Sequence, residues 1–139
     1  MMTKINYKKL DSNLEPKQTV ELAREWIKHL MSGKYTQGRG YLYGSVSKNR
    51  GTHCCLGVLG KICGASNTEL DGKGSSKLVD DGVFLKKSFW NKIGFGRMGL
   101  RQKRLSYMND TKNLNFNGIA FYIKKQVNKY AKQNGISYY

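Results

Sequence analysis

The residues that most suggest chemistry stand together in the segment GTHCCLGVLGKICG, residues 51–64. A thiolate close to a histidine can act as a nucleophile, and the same side chains are ligands for zinc. Zinc sites usually separate paired cysteines by about two to four residues, whereas Cys54 and Cys55 are adjacent and Cys63 follows eight residues after Cys55. This spacing argues against a metal site, and we expect neither a metal nor another cofactor.

A cysteine nucleophile is one alternative for this segment, because a helix N-terminus can lower the pKa of a thiol. The required base would be His29 or His53, the two histidines of the chain. The other alternative is packing, since a helix over residues 54–63 would gather glycines on one face and allow a backbone or flat ligand to approach. We favour packing and close approach, through Cys54, Cys55, Gly57 and Gly60.

Two glycine-flanked basic loops are candidates for binding phosphate, namely GRGY at residues 38–41 and GFGR at residues 94–97. Glycines let backbone N–H groups approach a phosphate, arginine donates to it in bidentate fashion, and aromatic rings stack on bases. Neither loop matches a Walker or dinucleotide-binding fingerprint. The predicted phosphate contacts are Arg39, Arg97, Arg101, Lys103, Arg104, Lys125, Lys129 and Lys132, with Tyr41 and Phe95 as predicted stacking residues.

Charge is the strongest global feature of the sequence. The chain of 139 residues carries 25 Lys and Arg against 9 Asp and Glu, a net charge of +16. Up to Asp81 there are 13 basic and 8 acidic residues, whereas from Gly82 onward 12 basic residues accompany Asp110 alone. A field of this size attracts polyanions, so nucleic acid, a ribonucleoprotein, a nucleotide or an acidic protein surface are the partner classes to consider.

Two amphipathic helices are the clearest structural elements in the sequence. One begins at Pro16, buries a stripe that runs from Val20 to Met31, and ends at Gly33. The other begins at Phe116, has an apolar stripe with a separate lysine stripe, and ends at Gly135.

The remaining elements are shorter. Tyrosines and glycines over residues 35–46 predict a strand or hairpin, and polar residues 67–83 predict a long surface loop. The predicted fold is therefore α+β, with a small antiparallel sheet packed on two main helices and the short glycine-rich helix. Residues 1–15 are predicted to be a polar lead-in, and residues 16–139 a single domain.

Three stretches together resemble a widespread group of small, uncharacterised phage and prophage proteins. They are WIKHLMSGKYTQGRGYL at residues 26–42, CCLGVLGKIC at residues 54–63, and LSYMND followed by FNGIAFYI in the last third of the chain. The resemblance implies a phage-encoded protein in the cytoplasm of an infected bacterial host. It implies no activity and assigns no functional residue.

From these observations we expect a non-enzymatic host-interaction protein that acts in counter-defence or takeover of the host. It would bind nucleic acid or a host nucleic-acid–protein complex, such as a CRISPR-type defence effector. Two alternatives stay open: an oligomeric sponge that sequesters a signalling cyclic nucleotide, and a cysteine-dependent enzyme. The chain has three cysteines, an odd number, and two of them are adjacent, which favours a reducing cytoplasm over a disulfide scaffold.

Overall fold

The structure is a computed structural model that describes residues 4–45, 50–72, 77–112 and 114–137. Within these residues it contains a short 3₁₀ helix at Tyr7–Lys9 and six α-helices, which we number in chain order. They are α1 (Pro16–Met31), α2 (Cys55–Ile62), α3 (Asn67–Leu70), α4 (Lys87–Ile93), α5 (Gln102–Asp110) and α6 (Phe116–Gln133). The two long helices, α1 and α6, pack on each other, and α2 packs on α1 and α5.

Helix α1 confirms the predicted boundaries. Pro16 is its first residue, and the Glu15 backbone N–H is bonded by the Gln18 side chain at 2.9 Å. After the helix, Gly33 has a φ of 77°, a backbone conformation that glycine adopts without strain. The predicted apolar stripe is wrong at its last residue, because Met31 lies at the solvent face with 58% of its surface exposed.

An aromatic cluster joins α1, α2, α4 and the turn that follows α4. Trp26 is fully buried, stacks on Phe95 at 5.5 Å between ring centroids, and donates its indole N–H to the Cys55 carbonyl at 2.9 Å. Trp90 meets both rings edge-on and donates its own indole N–H to the Leu100 carbonyl at 3.0 Å. Both indole N–H groups are thus satisfied inside the core.

The predicted antiparallel sheet is wrong, since the described residues contain helices and isolated bridges but no strand. Residues 35–45 form an irregular segment that touches His53 through single bridges at Gln37 and Tyr43. Its backbone N–H groups find separate partners: Gly38 donates to the His53 carbonyl and Leu42 to the Gly82 carbonyl. Close packing on α2 has overridden the strand preference of the tyrosines. The last residue of the predicted hairpin, Val46, is outside the described residues.

The prediction of a long surface loop over residues 67–83 is also wrong for the part described. Ser66 caps the short helix α3, and Leu70, Leu78 and Val79 are buried in the core. Residues 73–76 are outside the described residues.

The polar lead-in packs on the rest of the fold. Tyr7 and Leu14 are buried, the Tyr7 backbone N–H donates to the Cys63 carbonyl, and the Tyr7 hydroxyl contacts the Glu69 carboxylate.

Among the described residues, no helix combines the length and the apolar composition that are needed to cross a membrane.

Candidate anion-binding sites

The three cysteines are part of the core. Cys54 caps α2, Cys55 is its first residue, Cys63 follows its last, and all three side chains are buried as free thiols. Burial raises the pKa of Cys54 and of Cys63 to about 12, and it raises the pKa of Cys55 well above its usual value. Because the thiolate is the reactive form, this burial disfavours the state that a nucleophile requires. No group of three or more potential metal-ligating side chains occurs among the described residues.

The glycine face of α2 lies against the protein's own chain. A Cβ at Gly57 would collide with the backbone carbonyl of Leu42, so the predicted close approach at Gly57 is present. A Cβ at Gly60 would instead meet a side-chain methyl of Leu70 at 2.6 Å. The glycines therefore admit the irregular segment and α3, which leaves this face no room for a ligand.

Asn109 connects, through its side-chain hydrogen bonds, the three segments that carry the sequence motifs: residues 26–42, residues 54–63 and the segment that contains LSYMND. Its buried side-chain amide donates to the Gly38 carbonyl at 2.8 Å. Its side-chain oxygen accepts from the Gln37 amide at 2.9 Å and from the Cys55 backbone N–H at 3.3 Å. The neighbouring Asp110 accepts from the Gly40 backbone N–H at 3.0 Å. These bonds fix the GRGY loop to the start of α2 and to the end of α5.

Hydrogen bonds within the protein use the backbone donors of the loop that is predicted to bind phosphate. The N–H of Gly38 donates to the His53 carbonyl and that of Gly40 to Asp110, so both donors already have acceptors within the protein. The loop still presents Arg39 and Tyr41 at the surface, where Tyr41 is 54% exposed.

The basic residues near the second glycine loop do not form one cluster. Arg97 donates to the Leu14 carbonyl at 3.3 Å, and Arg101 and Lys103 line a cleft of about 510 Å³ beside Trp90. Arg104 lies over the ring of Tyr122 on α6, at 5.7 Å from the ring centroid. Phe95 is fully buried against Trp26, which excludes the predicted stacking on a base and corrects that assignment.

Helix α6 presents the most continuous basic surface. We call this surface the α6 face and define it as Phe121, Lys125, Lys129 and Lys132. All four side chains are exposed, Phe121 to 60%, and Lys125 Nζ lies 4.7 Å from the centroid of the Phe121 ring. The opposite side of the helix buries Ile119, Ile123 and Val127. No acidic residue occurs within Phe116–Gln133, so positive charge alternates only with neutral and aromatic side chains.

A second basic region was not predicted from the sequence. It is a cleft of about 690 Å³ at the C-terminal end of α1, which we call the lysine cleft. Its charged and polar lining consists of Lys4, Lys28, Lys34, Lys61, Glu25, His29 and Tyr35, and Ile5 and Ile62 add apolar surface.

The polar wall of the lysine cleft is a short chain of contacts. His29 lies with Nε2 at 3.5 Å from the Glu25 carboxylate and with Nδ1 at 3.3 Å from the Tyr35 hydroxyl. Burial raises the pKa of Tyr35, so its hydroxyl stays protonated near neutral pH. The Tyr35 ring in turn meets His53 edge-on, with the centroids 5.5 Å apart.

His53 supports the Tyr35 ring from behind. It is buried, its Nε2 lies 3.1 Å from the Asn67 side-chain oxygen, and its Nδ1 has no hydrogen-bond partner among the described residues. Burial lowers the pKa of His53, and the charge of Lys61 lowers it further, whereas the hydrogen bond to Asn67 opposes the shift. His53 is therefore neutral at neutral pH.

Comparison with known proteins adds no assignment, since no protein-family model, no curated protein and no solved structure matches this chain. The likeness to small phage proteins stays a prediction from the sequence motifs.

Proposed function

We propose that the protein binds an anionic macromolecule without catalysing a reaction. The target would be a nucleic acid or a host complex of nucleic acid and protein, such as a CRISPR-type defence effector. The observation that carries the proposal is the α6 face, where three exposed lysines and an exposed phenylalanine share one side of a helix that has no acid.

The net charge of the chain strengthens the attraction of the α6 face for a polyanion. With 25 basic and 9 acidic residues, no arrangement of ion pairs within the chain can neutralise the net charge of +16. Lysines that contact phosphates release condensed counterions, and this release drives binding that depends little on sequence. Arg104, which lies over Tyr122, extends the positive surface from α6 toward α5.

Phe121 adds a preference for unpaired bases. An aromatic ring exposed among lysines is the usual combination in proteins that bind single strands, where the ring stacks on a base and the lysines follow the backbone. Lys125 already lies over this ring, so the charge and the stacking surface are adjacent.

Two observations argue against the competing functions. A cysteine-dependent enzyme needs an accessible thiolate, whereas burial holds the thiols of Cys54 and Cys55 in the protonated form. A sponge that binds nucleotides through the GRGY loop needs free backbone donors, whereas Gly38 and Gly40 have acceptors inside the protein. The resemblance to phage proteins supplies the proposed setting, an interaction with the infected host.

The test is binding of fluorescent single-stranded RNA, single-stranded DNA and duplex DNA, measured by anisotropy across a salt series. The variant with Lys125→Gln, Lys129→Gln and Lys132→Gln should weaken binding and reduce the slope of log affinity against log salt by about two to three. The matched control replaces the exposed Lys9, Lys17 and Lys87 by Gln and should change that slope by less than about one. Phe121→Leu should weaken single-strand binding by roughly tenfold and leave duplex binding unchanged.

Two results would count against the proposal. An equal loss in the control would mean that net charge alone, and not the α6 face, drives binding. Absence of binding to all three probes at low salt would remove direct nucleic-acid binding. A pull-down from host lysate, with and without nuclease, then decides whether a nucleoprotein partner exists, and capture of no partner in either case would overturn the proposal.

A further inference from the structure

We propose that the lysine cleft is a separate binding site for a nucleotide that carries two or more phosphates. The proposal does not rest on the polyanion-binding function, because the cleft shares no residue with the α6 face. It rests on the convergence of four lysines from distant parts of the chain around one concavity with an aromatic wall.

The charges of the cleft select a multiply charged anion. Lys4, Lys28, Lys34 and Lys61 supply four ammonium groups, and the carboxylate of Glu25 is the acid in the lining. That carboxylate already has partners, since Lys28 Nζ lies 3.9 Å away and His29 Nε2 lies 3.5 Å away. The remaining positive charge matches a diphosphate or triphosphate, and lysine binds phosphate as a flexible point charge.

The volume of the cleft favours a small ligand over a polymer. About 690 Å³ lies within the range of about 300 to 1,000 Å³ that is usual for small-molecule and cofactor sites. The lining includes the half-buried ring of Tyr35 and the apolar side chains of Ile5 and Ile62. These groups give a base or ribose a surface to contact, which an inorganic polyphosphate would not use.

The aromatic wall is held in place before any ligand arrives. Tyr35 is fixed by its hydroxyl contact with His29 and by the edge contact of its ring with His53. On its far side His53 contacts the Tyr43 ring, with the centroids 5.2 Å apart. The ring positions are therefore set by the fold, which reduces the ordering entropy that a ligand would otherwise lose on binding.

The experiment is calorimetric titration of the full chain at constant ionic strength with a nucleoside triphosphate, a nucleoside monophosphate, a cyclic dinucleotide and inorganic triphosphate. We expect the nucleoside triphosphate to bind with a stoichiometry near one and at least about tenfold more tightly than the monophosphate. The cyclic dinucleotide arm tests whether a signalling nucleotide is the natural member of this class. No heat with any of the nucleotides at millimolar concentration would overturn the proposal.

Variants decide whether the heat comes from the lysine cleft. The pair Lys34→Gln and Lys61→Gln should weaken triphosphate binding at least about tenfold, whereas the control pair Lys17→Gln and Lys87→Gln, two exposed lysines outside both basic regions, should change it less than about twofold. If the first pair lowers the helical circular dichroism signal, the exposed pair Lys4→Gln and Lys34→Gln replaces it. Equal losses in the cleft and control pairs would assign the binding to diffuse charge and overturn the site.

A variant of Tyr35 distinguishes the binding of a nucleotide from the binding of an inorganic phosphate. Tyr35→Leu should weaken the nucleoside triphosphate several-fold and leave inorganic triphosphate unchanged, because only the nucleotide contacts the ring. If inorganic triphosphate binds as tightly as the nucleotide to the unaltered protein, the base has no site and the proposed ligand class is wrong.

Discussion

The α6 face and the lysine cleft are both basic, but they are built in different ways. The α6 face is convex, comes from one helix, and spans residues 121–132. The lysine cleft is concave and collects side chains from residue 4, from the end of α1, from the segment after it and from α2. A convex lysine stripe suits a long polyanion that can follow it, whereas a cleft with an aromatic wall suits a ligand that it can surround.

The two regions also depend on the rest of the fold to different degrees. The α6 face needs only that α6 is helical and that its apolar side is buried on α1. The lysine cleft needs the segment that carries Lys34 and Tyr35 to stay attached to α2 and α5. A substitution that weakens that attachment should therefore affect the lysine cleft and leave the α6 face unchanged.

The largest effect is expected for Asn109→Ala. The change leaves the Gly38 carbonyl and the Cys55 N–H without the Asn109 side chain and opens a small cavity, with each unsatisfied group costing about 1–3 kcal/mol. We expect a loss of about 3–4 kcal/mol in the free energy of unfolding, measured by urea denaturation. The exposed Asn91→Ala serves as control and should change stability by less than about 0.5 kcal/mol.

The same variant separates the two regions. Where the protein remains folded, Asn109→Ala should weaken nucleotide binding in the lysine cleft more than nucleic-acid binding on the α6 face. Equal weakening of both would show that the two regions share one structural support, contrary to the comparison.

A smaller effect is expected for Gly57→Ala. The new methyl group would collide with the Leu42 carbonyl, which cannot move easily because Leu42 is buried and its N–H is bonded to Gly82. Overpacking of about 3 kcal/mol exceeds the gain of about 1 kcal/mol in helix propensity, so we expect a net loss of about 2 kcal/mol.

Gly60→Ala is the matched control for Gly57→Ala, since both glycines lie within α2. Its added methyl group would meet the end of the Leu70 side chain and not a backbone atom, so the net change should stay within about 1 kcal/mol. Thermal unfolding of the two variants measures the difference. A Gly57→Ala protein as stable as Gly60→Ala would mean that the contact with the Leu42 backbone is not tight.

Periodicity and end signals made the two long helices predictable. The apolar spacing and the flanking proline and glycines of α1 and α6 are local properties of the chain, and the α6 face follows directly from them. The spacing of Met31 fits the stripe and predicts a core position, but α1 ends at this residue and its side chain is exposed.

The sheet and the lysine cleft depend on contacts that spacing does not reveal. Tyrosine favours strands, yet the chain after α1 lies irregularly on α2 because Gly57 admits its backbone. Phe95 sits in a glycine-rich loop, yet its ring packs on Trp26, which is 69 residues away in the sequence. The lysines of the cleft come from three separate parts of the chain, so only the tertiary structure shows that they converge.

The smallest effect concerns pH and involves His53, which supports the aromatic wall of the lysine cleft from behind. Burial and the charge of Lys61 hold the pKa of His53 below its usual 6.5, and the rings of Tyr35 and Tyr43 complete its surroundings. As the pH falls through about 6.5, the unfolded chain takes up a proton at this histidine that the folded chain takes up only at lower pH. Stability should therefore decrease as the pH falls below about 6.5.

Variants of the two histidines test this assignment. His53→Gln keeps a side-chain amide that can donate to Asn67 and does not titrate, so urea denaturation should show a flatter dependence on pH. His29→Gln, on the open side of Tyr35, should retain the decrease, because His53 is still present. If His29→Gln and not His53→Gln removes the decrease, the titrating group lies in the polar wall of the cleft. In that case nucleotide binding, and not only folding, would respond to pH.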